Sequence, residues 1–242
     1  MKLWYINIWL NPATGYDQDY RYKFLLHTRF ISNYLSRMIR KYKIETDGTF
    51  DMISVHPTPG TLDECTIIPD KAVAVSISFD KERYEKIKGT ADYEYYLELF
   101  ETGFKKASEF KTIPLDTLLD LMDDFRKNGY KNEWLHKKKR FKERDIEVVL
   151  DCRFTTFDFR LIATINRLST GEKLCSGVVI HTEPDEINFN KMFKDILIDG
   201  RNIVITDASD GPRILINLND ALHRRFNFLL IGDRQLRQIL SL

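Results

Sequence analysis

The chain has 242 residues, of which 43% are hydrophobic and 30% charged, a composition typical of folded globular proteins and not of disordered ones. Its 37 basic and 36 acidic residues give a formal net charge of +1, so the overall basic excess of dedicated nucleic-acid binders is absent. The cysteines Cys65, Cys152 and Cys175 have no CxxC spacing, which indicates reduced thiols and not a disulfide framework.

Strands and long helices are predicted to mix in the first part of the chain. Segment 2–10 is apolar on both faces, which predicts a strand interior to a sheet. Apolar residues at three- and four-residue steps predict a helix over 20–42. The next predicted elements are strands at 49–56 and 72–80, and the segment 57–70 between them has the Pro and Gly residues of a loop.

Further helices are predicted between residues 93 and 141. An aromatic-rich helix covers 93–110, with Tyr95 off its apolar face. Pro114 suits the first turn of another helix, and Gly129 suits its end. A short helix is predicted for 131–141.

Hairpins dominate the remainder. Alternation in 145–154 and 157–168 predicts two strands, and in the second of them Phe157 and Phe159 share a face. The sequence STGE then forms a turn into a strand over 173–181. The last predicted elements are a helix over 187–197, strands at 201–206, 213–218 and 226–231, and a terminal helix over 233–242.

This pattern predicts an α+β fold, because hairpins and not regular crossover helices separate the later strands. Residues 1–143 are expected to form a mixed sheet with long helices. Residues 144–242 are expected to form a mostly antiparallel β meander with one or two helices.

The segment from His136 to Arg144 reads HKKKRFKER, and six of its nine residues are Lys or Arg. At the end of a predicted helix, these cations would offset the helix dipole. We interpret the run as a solvated helix end that forms the rim of a contact surface, balanced by acids of the preceding helix. Those acids are Asp116, Asp120, Asp123 and Asp124.

Sequence motifs of catalysis, metal binding and phosphate binding are absent: there is no HExxH, CxxC, GxSxG or glycine-rich phosphate loop. His27 is predicted to be a hydrogen-bonded core residue, and Cys152 and Cys175 to be small core residues. Acidic residues near Asp207 and Asp185 are interpreted as turn and helix-cap residues. No catalytic residue, metal or cofactor is predicted.

These patterns favour a non-enzymatic protein that binds another protein and blocks it sterically, since aromatic and Arg side chains suit interfaces. Inhibitors such as the immunity proteins of bacterial toxin systems have this general character, an analogy that rests on no motif. The residues predicted to contact the partner are Tyr130, Trp134, Lys137, Lys138 and Arg140.

Two alternatives stay open at this point. The first is an enzyme, of hydrolase or nuclease type, whose catalytic groups come from distant segments. The second is a nucleic-acid-associated protein that uses 136–144, although the balanced charge and the lack of a stacking platform disfavour it. A homodimer is also left open. No membrane partner is expected, because no long apolar run or signal peptide is present, which predicts a cytoplasmic protein.

Overall fold

The computed structural model describes residues 1–12, 15–60, 64–69 and 71–242, and it confirms the predicted α+β class. Its contacts divide the chain into two compact units, Met1–Asn132 and Glu133–Leu242. Each unit carries its own sheets and its own buried side chains. No helix in the described part of the chain combines the length and the apolar character needed to cross a bilayer.

The first unit combines one sheet with long helices, as predicted. Its elements in chain order are β1 Tyr5–Ile8, α1 Gln18–Tyr42, β2 Met52–Thr58, β3 Cys65–Ile68, β4 Ala72–Ser78, α2 Lys81–Ile87, α3 Glu94–Phe110 and α4 Leu115–Lys127. The strand order is β1-β2-β4-β3, with β1, β2 and β4 parallel and β3 antiparallel to β4. The sheet is therefore mixed, as expected.

The prediction that segment 2–10 is interior to a sheet is wrong, because β1 is an edge strand. Trp4 and Tyr5 are 41% and 47% exposed. Arg40 of α1 binds this edge: its guanidinium lies 4.9 Å from the centroid of the Tyr5 ring and donates to the backbone carbonyl of Trp4 at 2.9 Å. The exposed Tyr5 ring thus supports a cation, a role that periodicity alone does not distinguish from burial.

Helix α1 forms where the 3.6-residue pattern predicted it. The Asp17 carboxylate accepts from the Tyr20 amide at 2.7 Å and caps the first turn. The buried face of α1 includes Phe24, Ile31 and Leu35. This face follows from the apolar spacing, so both the helix and its buried side were predictable from the sequence.

Several shorter features of the first unit differ from expectation. Part of the predicted loop 57–70 forms β3, while positions 61–63 and 70 lie outside the described residues. Helix α2 was not predicted, and Asp80 caps it by accepting from the Arg83 amide. Tyr95 is buried and not off the apolar face, because its hydroxyl bonds to the backbone of Asp80.

Gly103 lets α3 pack directly on β2. A Cβ at this position would lie 2.5 Å from Cγ2 of Val55, which is fully buried. We expect Gly103→Ala to lower the free energy of unfolding by about 1 kcal/mol, since overpacking costs about 1–3 kcal/mol and the gain in helix propensity returns about 1 kcal/mol. Urea denaturation followed by circular dichroism measures the change.

The control for this prediction is Thr102→Ala, on the exposed side of α3. It adds helix propensity without meeting Val55, so the free energy of unfolding should stay equal or rise by a few tenths of a kcal/mol. If Gly103→Ala raised stability as the control does, the direct contact of α3 with β2 would be contradicted.

The second unit is built from two four-stranded sheets with orders β5-β6-β7-β8 and β12-β11-β10-β9. Its strands are β5 Asn132–Phe141, β6 Ile146–Phe154, β7 Phe159–Arg167, β8 Lys173–Thr182, β9 Asp195–Asp199, β10 Asn202–Thr206, β11 Pro212–Asn217 and β12 Phe228–Leu230. Its helices are α5 Glu186–Phe189, α6 Leu218–Leu222 and α7 Arg234–Ile239. The predicted antiparallel meander is confirmed, with three short helices where one or two were expected.

The boundary predicted after residue 143 lies between β5 and β6, whereas the contacts divide the chain at the start of β5. Strand β5 is a neighbour of β6 in the sheet, so it goes with the strands that follow it. The predicted helix over 187–197 is too long. Only α5 forms, and residues from Asp195 onward pair with β10.

Alternation predicted the buried face of this sheet well, with one exception. Ile146, Val148 and Leu150 of β6 are fully buried, and so is Cys152. Phe157 precedes β7 and is 57% exposed, so its predicted position on the buried face is wrong. A turn at 155–158 ends the strand register there, because the Thr155 hydroxyl accepts from the amides that follow.

Candidate functional site

The basic run lies on strand β5, so the prediction of a helix over 131–141 and of a helix end at the run is wrong. The Trp134 ring lies 6.1 Å from that of Phe159, and the His136 ring packs edge-on against Phe193 at 4.6 Å. Contacts at every second residue have the two-residue period of a strand. The basic run hides this period in the sequence, because long charged side chains occur on either face of a strand and in helices.

Asp195, the first residue of β9, binds two of the lysines. Its carboxylate oxygens lie 3.2 Å from Nζ of Lys137 and 3.2 Å from Nζ of Lys139. The pKa of Asp195 is lowered to about 2, first by the Ile196 amide that donates to its carboxylate and then by the two lysines. This carboxylate is therefore fully charged at neutral pH and holds both ammonium groups beside β5.

Glu147 of β6 binds the other two cations of the run. Lys138 Nζ lies 2.9 Å from Oε2, and Arg140 Nε donates to Oε1 at 2.8 Å. The Arg140 and Lys138 hydrogen bonds hold the pKa of Glu147 below its ordinary value. Glu147 is 9% exposed, so these cations compensate a nearly buried charge.

The predicted balance of the run by acids of α4 is wrong, since its partners are Asp195 and Glu147. Four cations share two carboxylates, which leaves two positive charges uncompensated on β5. We call these four residues the basic edge, because β5 ends the strand order of its sheet and has β6 as its one strand neighbour among the described residues. They are Lys137, Lys138, Lys139 and Arg140.

A 3-10 turn, Lys142–Arg144, continues the positive charge beyond the basic edge. Within the part of the chain that the structure describes, neither Lys142 nor Arg144 forms an ion pair. Both line a pocket of about 410 Å³. The other lining residues are Phe141, Glu143, Ile198 and Gly200.

Of the five predicted contact residues, Trp134, Lys137, Lys138 and Arg140 belong to β5. Trp134 is half-buried, with its ring beside Phe159. The two lysines and Arg140 form part of the basic edge. Partner contact by these residues stays a prediction.

Tyr130 belongs to the first unit and has an internal role there. Its ring packs against Tyr93 and Phe125, and its hydroxyl donates to the Glu94 carboxylate. That hydrogen bond raises the pKa of Tyr130. Its backbone φ of 57° and its amide bond to the Phe125 carbonyl help to end α4. Alanine at Tyr130 would thus disturb folding, which makes it a poor position for testing a contact.

A buried polar cluster in the first unit was missed by sequence reasoning. His56 of β2 is 6% exposed, and its Nε2 accepts from the Trp9 indole at 2.7 Å. The Ser54 hydroxyl lies 2.8 Å from the same nitrogen. Burial lowers the pKa of His56 to about 4, so the ring is neutral near pH 7. The one sequence signal was the alternation of Ser54 and His56 in a strand.

Other groups considered for chemistry have structural partners. His27 Nδ1 lies 3.0 Å from the Tyr84 hydroxyl, which confirms its predicted hydrogen bond, but His27 is half-buried and not a core residue. Cys152 and Cys175 are buried as predicted. Asp207 accepts from the Ser209 and Gly211 amides, as expected for a turn residue.

Both ring nitrogens of His181 in β8 have hydrogen-bond partners. Nε2 lies 2.8 Å from the Asp158 carboxylate and Nδ1 3.0 Å from the Leu242 carbonyl. Asp158 also accepts from Arg160 at 2.7 Å. An imidazole with both nitrogens held by acceptors connects β8 to the segment around Ser241, so its evident role is to join elements.

Among the described residues, no group of three or more His, Cys, Asp or Glu side chains is placed to hold a metal ion. Comparison with known proteins found no matching family model, no matching curated sequence and no matching solved structure. The basic edge is therefore the surface on which a functional proposal rests.

Proposed function

We propose that this protein acts by binding another protein through the basic edge, without turnover of a substrate. The observation that supports this is the arrangement of four cations around two carboxylates on an edge strand. The carboxylates fix the positions of the cations, and the excess of positive charge remains for a partner. A partner with acidic groups at matching positions would be attracted and oriented by this charge.

An apolar element accompanies the charge. Leu135 of β5 is 55% exposed, close to the basic edge along the same strand. Protein interfaces combine such apolar contacts with a polar rim that sets orientation. The steric mechanism follows: a rigid strand held in a sheet covers a site on the partner and needs no chemistry of its own.

A protein partner fits these features better than a nucleic acid. A nucleic acid presents a continuous line of phosphates, and Asp195 and Glu147 stand among the cations of the basic edge, where they would repel that line. A protein segment carries separate charges and hydrogen-bonding groups, which can meet the cations without passing over Asp195 and Glu147.

The test is affinity capture from the cell of origin, with quantitative mass spectrometry of what is retained. In the main variant, Lys137→Gln, Lys138→Gln and Arg140→Gln remove three cations. We expect a protein held by the natural chain to be depleted by about tenfold or more. A second variant, Lys137→Gln with Lys139→Gln, leaves the nearly buried Glu147 paired and guards against loss through misfolding.

The matched control replaces three exposed basic residues of the same unit that lie away from β5, Lys173, Arg234 and Arg237, with glutamine. It changes the net charge equally and should retain the partner. Equal retention by all variants would overturn the proposal. Capture that nuclease treatment abolishes, together with binding of a DNA or RNA oligonucleotide that depends on the basic edge, would replace it with nucleic-acid binding.

A further inference from the structure

We infer that the partner segment is an extended acidic strand that pairs with the backbone of β5. This inference rests on the proposed function and specifies the chemistry of the partner. Three features of the second unit carry it: the open side of β5, the distribution of cations around that strand, and the unpaired cations at its end.

Strand β5 is long for an edge strand. It has 10 residues and stands at the end of the order β5-β6-β7-β8. One side of an edge strand has backbone N–H and C=O groups that no strand neighbour satisfies, so it can pair with an added strand. A length of 10 residues offers several such groups. Strand β8 at the other end of this sheet is equally long, but the His181 amide and carbonyl there already bond to Leu240 and Leu242. The edge strand β12 of the other sheet has 3 residues.

The cations of β5 are directed to two different carboxylates. Lys137 and Lys139 reach Asp195 at the start of β9, whereas Lys138 reaches Glu147 in β6. Successive side chains of a strand point to opposite faces of its sheet, so positive charge lies on both faces of β5. A strand added beside β5 also projects side chains to both faces. Acidic residues at these positions would lie opposite cations on either face, and opposite charges across strands are stabilising.

The turn after β5 adds an anchoring position. Lys142 and Arg144 form no ion pair among the described residues, and they line the pocket of about 410 Å³ together with Phe141. Glu143 also lines the pocket, so its lining keeps a net positive charge of one, and a carboxylate that enters would meet two cations that form no ion pair among the described residues. This position would fix the register of the added strand at one end.

The same charges select against other strands. Lysines on an edge oppose pairing with neutral or basic strands, because pairing would bury uncompensated charge. Two copies of β5 placed side by side would bring their basic edges together, and this repulsion opposes a dimer through β5. An acidic strand compensates these charges, so the lysines that oppose pairing with other strands make the edge specific for acidic ones.

The experiment measures binding of synthetic peptides of the length of β5 to the full chain by fluorescence anisotropy at low ionic strength. The main probe repeats the tripeptide Glu-Glu-Val, which places glutamates on both faces of an extended strand. The second probe replaces glutamate with glutamine, which removes charge. The third keeps glutamate but carries N-methyl groups on alternate backbone amides, in both possible phases, which blocks strand pairing while keeping the charge.

We expect the glutamate peptide to bind, and both altered peptides to bind about tenfold more weakly or worse. The double variant Lys142→Gln with Arg144→Gln should lower the affinity for the glutamate peptide several-fold. It should not affect folding, since neither side chain forms an ion pair among the described residues. In hydrogen exchange, amides of β5 should become protected when the glutamate peptide binds, and those of β12 should not.

Equal affinity of the glutamate and N-methylated peptides would overturn strand pairing and leave only charge attraction. Failure of every peptide to bind, while cellular capture still depends on the basic edge, would likewise overturn the acidic-strand inference and leave the proposed function standing. Loss of that dependence in the capture experiment would instead overturn the proposed function itself.

Discussion

Replacing Phe159 with alanine is expected to lower the free energy of unfolding by about 3–5 kcal/mol. Phe159 is fully buried, and its ring stacks on that of Phe189 with centroids 3.5 Å apart. The rings of Phe154 and Phe193 lie at 6.0 and 5.8 Å. Truncation removes the transfer free energy of a whole ring and leaves a cavity between aromatic neighbours that belong to β6 and the region of α5.

The matched control is Phe157→Ala, two residues earlier in the chain. Phe157 is 57% exposed, so its removal should change the free energy of unfolding by no more than about 0.5 kcal/mol. Native-state hydrogen exchange with mass spectrometry can follow peptides of β6 and β7 separately from the first unit. Similar losses for both variants would contradict the position of Phe157 outside the strand register.

This pair also shows how far alternation predicts the fold. It placed Phe159 correctly, since residues of β7 keep the period of a strand from 159 onward. It placed Phe157 wrongly, because the turn at Thr155 depends on hydrogen bonds from one hydroxyl to two amides, which hydrophobic spacing does not encode. Strand and helix faces were therefore predictable, whereas their ends depended on local polar contacts.

The candidate site was predictable in composition but not in geometry. The density of Lys and Arg in 136–144 identified the segment, and three of the cations were predicted as contact residues. Their partners were not predictable, because Asp195 lies far along the chain and Glu147 reads as one more residue of an alternating strand. The assignment to a helix failed for a related reason: Lys and Arg favour helix in isolation, and tertiary pairing with β6 overrides that preference.

Acidification is expected to destabilise the first unit through His56. In the folded chain Nε2 accepts from the Trp9 indole, and the Ser54 hydroxyl lies beside the same nitrogen, so a proton there would break the cluster. Burial lowers the pKa of His56 from 6.5 to about 4. Between these values the unfolded chain binds a proton that the folded chain does not. The stabilisation is therefore complete above pH 6.5 and is lost as the pH falls towards 4.

The size of this loss follows from the shift. One pKa unit corresponds to about 1.4 kcal/mol, so with a discount for solvent screening we expect His56 to account for about 2 kcal/mol. Burial also lowers the pKa of His27, which adds a loss of the same sign. The contribution of His56 is the difference between the natural chain and His56→Gln in how much unfolding free energy is lost on acidification. Glutamine suits this comparison because it offers an oxygen acceptor and does not titrate.

Urea denaturation at several pH values, with hydrogen exchange of peptides from β2 and β4 as the readout, measures that difference. His56→Gln should be less stable than the natural chain at pH 7, since the glutamine amide does not reproduce the ring, and should lose less stability on going to pH 4. His223→Gln, in the second unit, should keep the pH dependence of the natural chain in these peptides. Equal losses of stability for the natural chain and His56→Gln would show that protonation of His56 costs no folding free energy. The hydrogen bond from the Trp9 indole to Nε2 of His56 would then be contradicted.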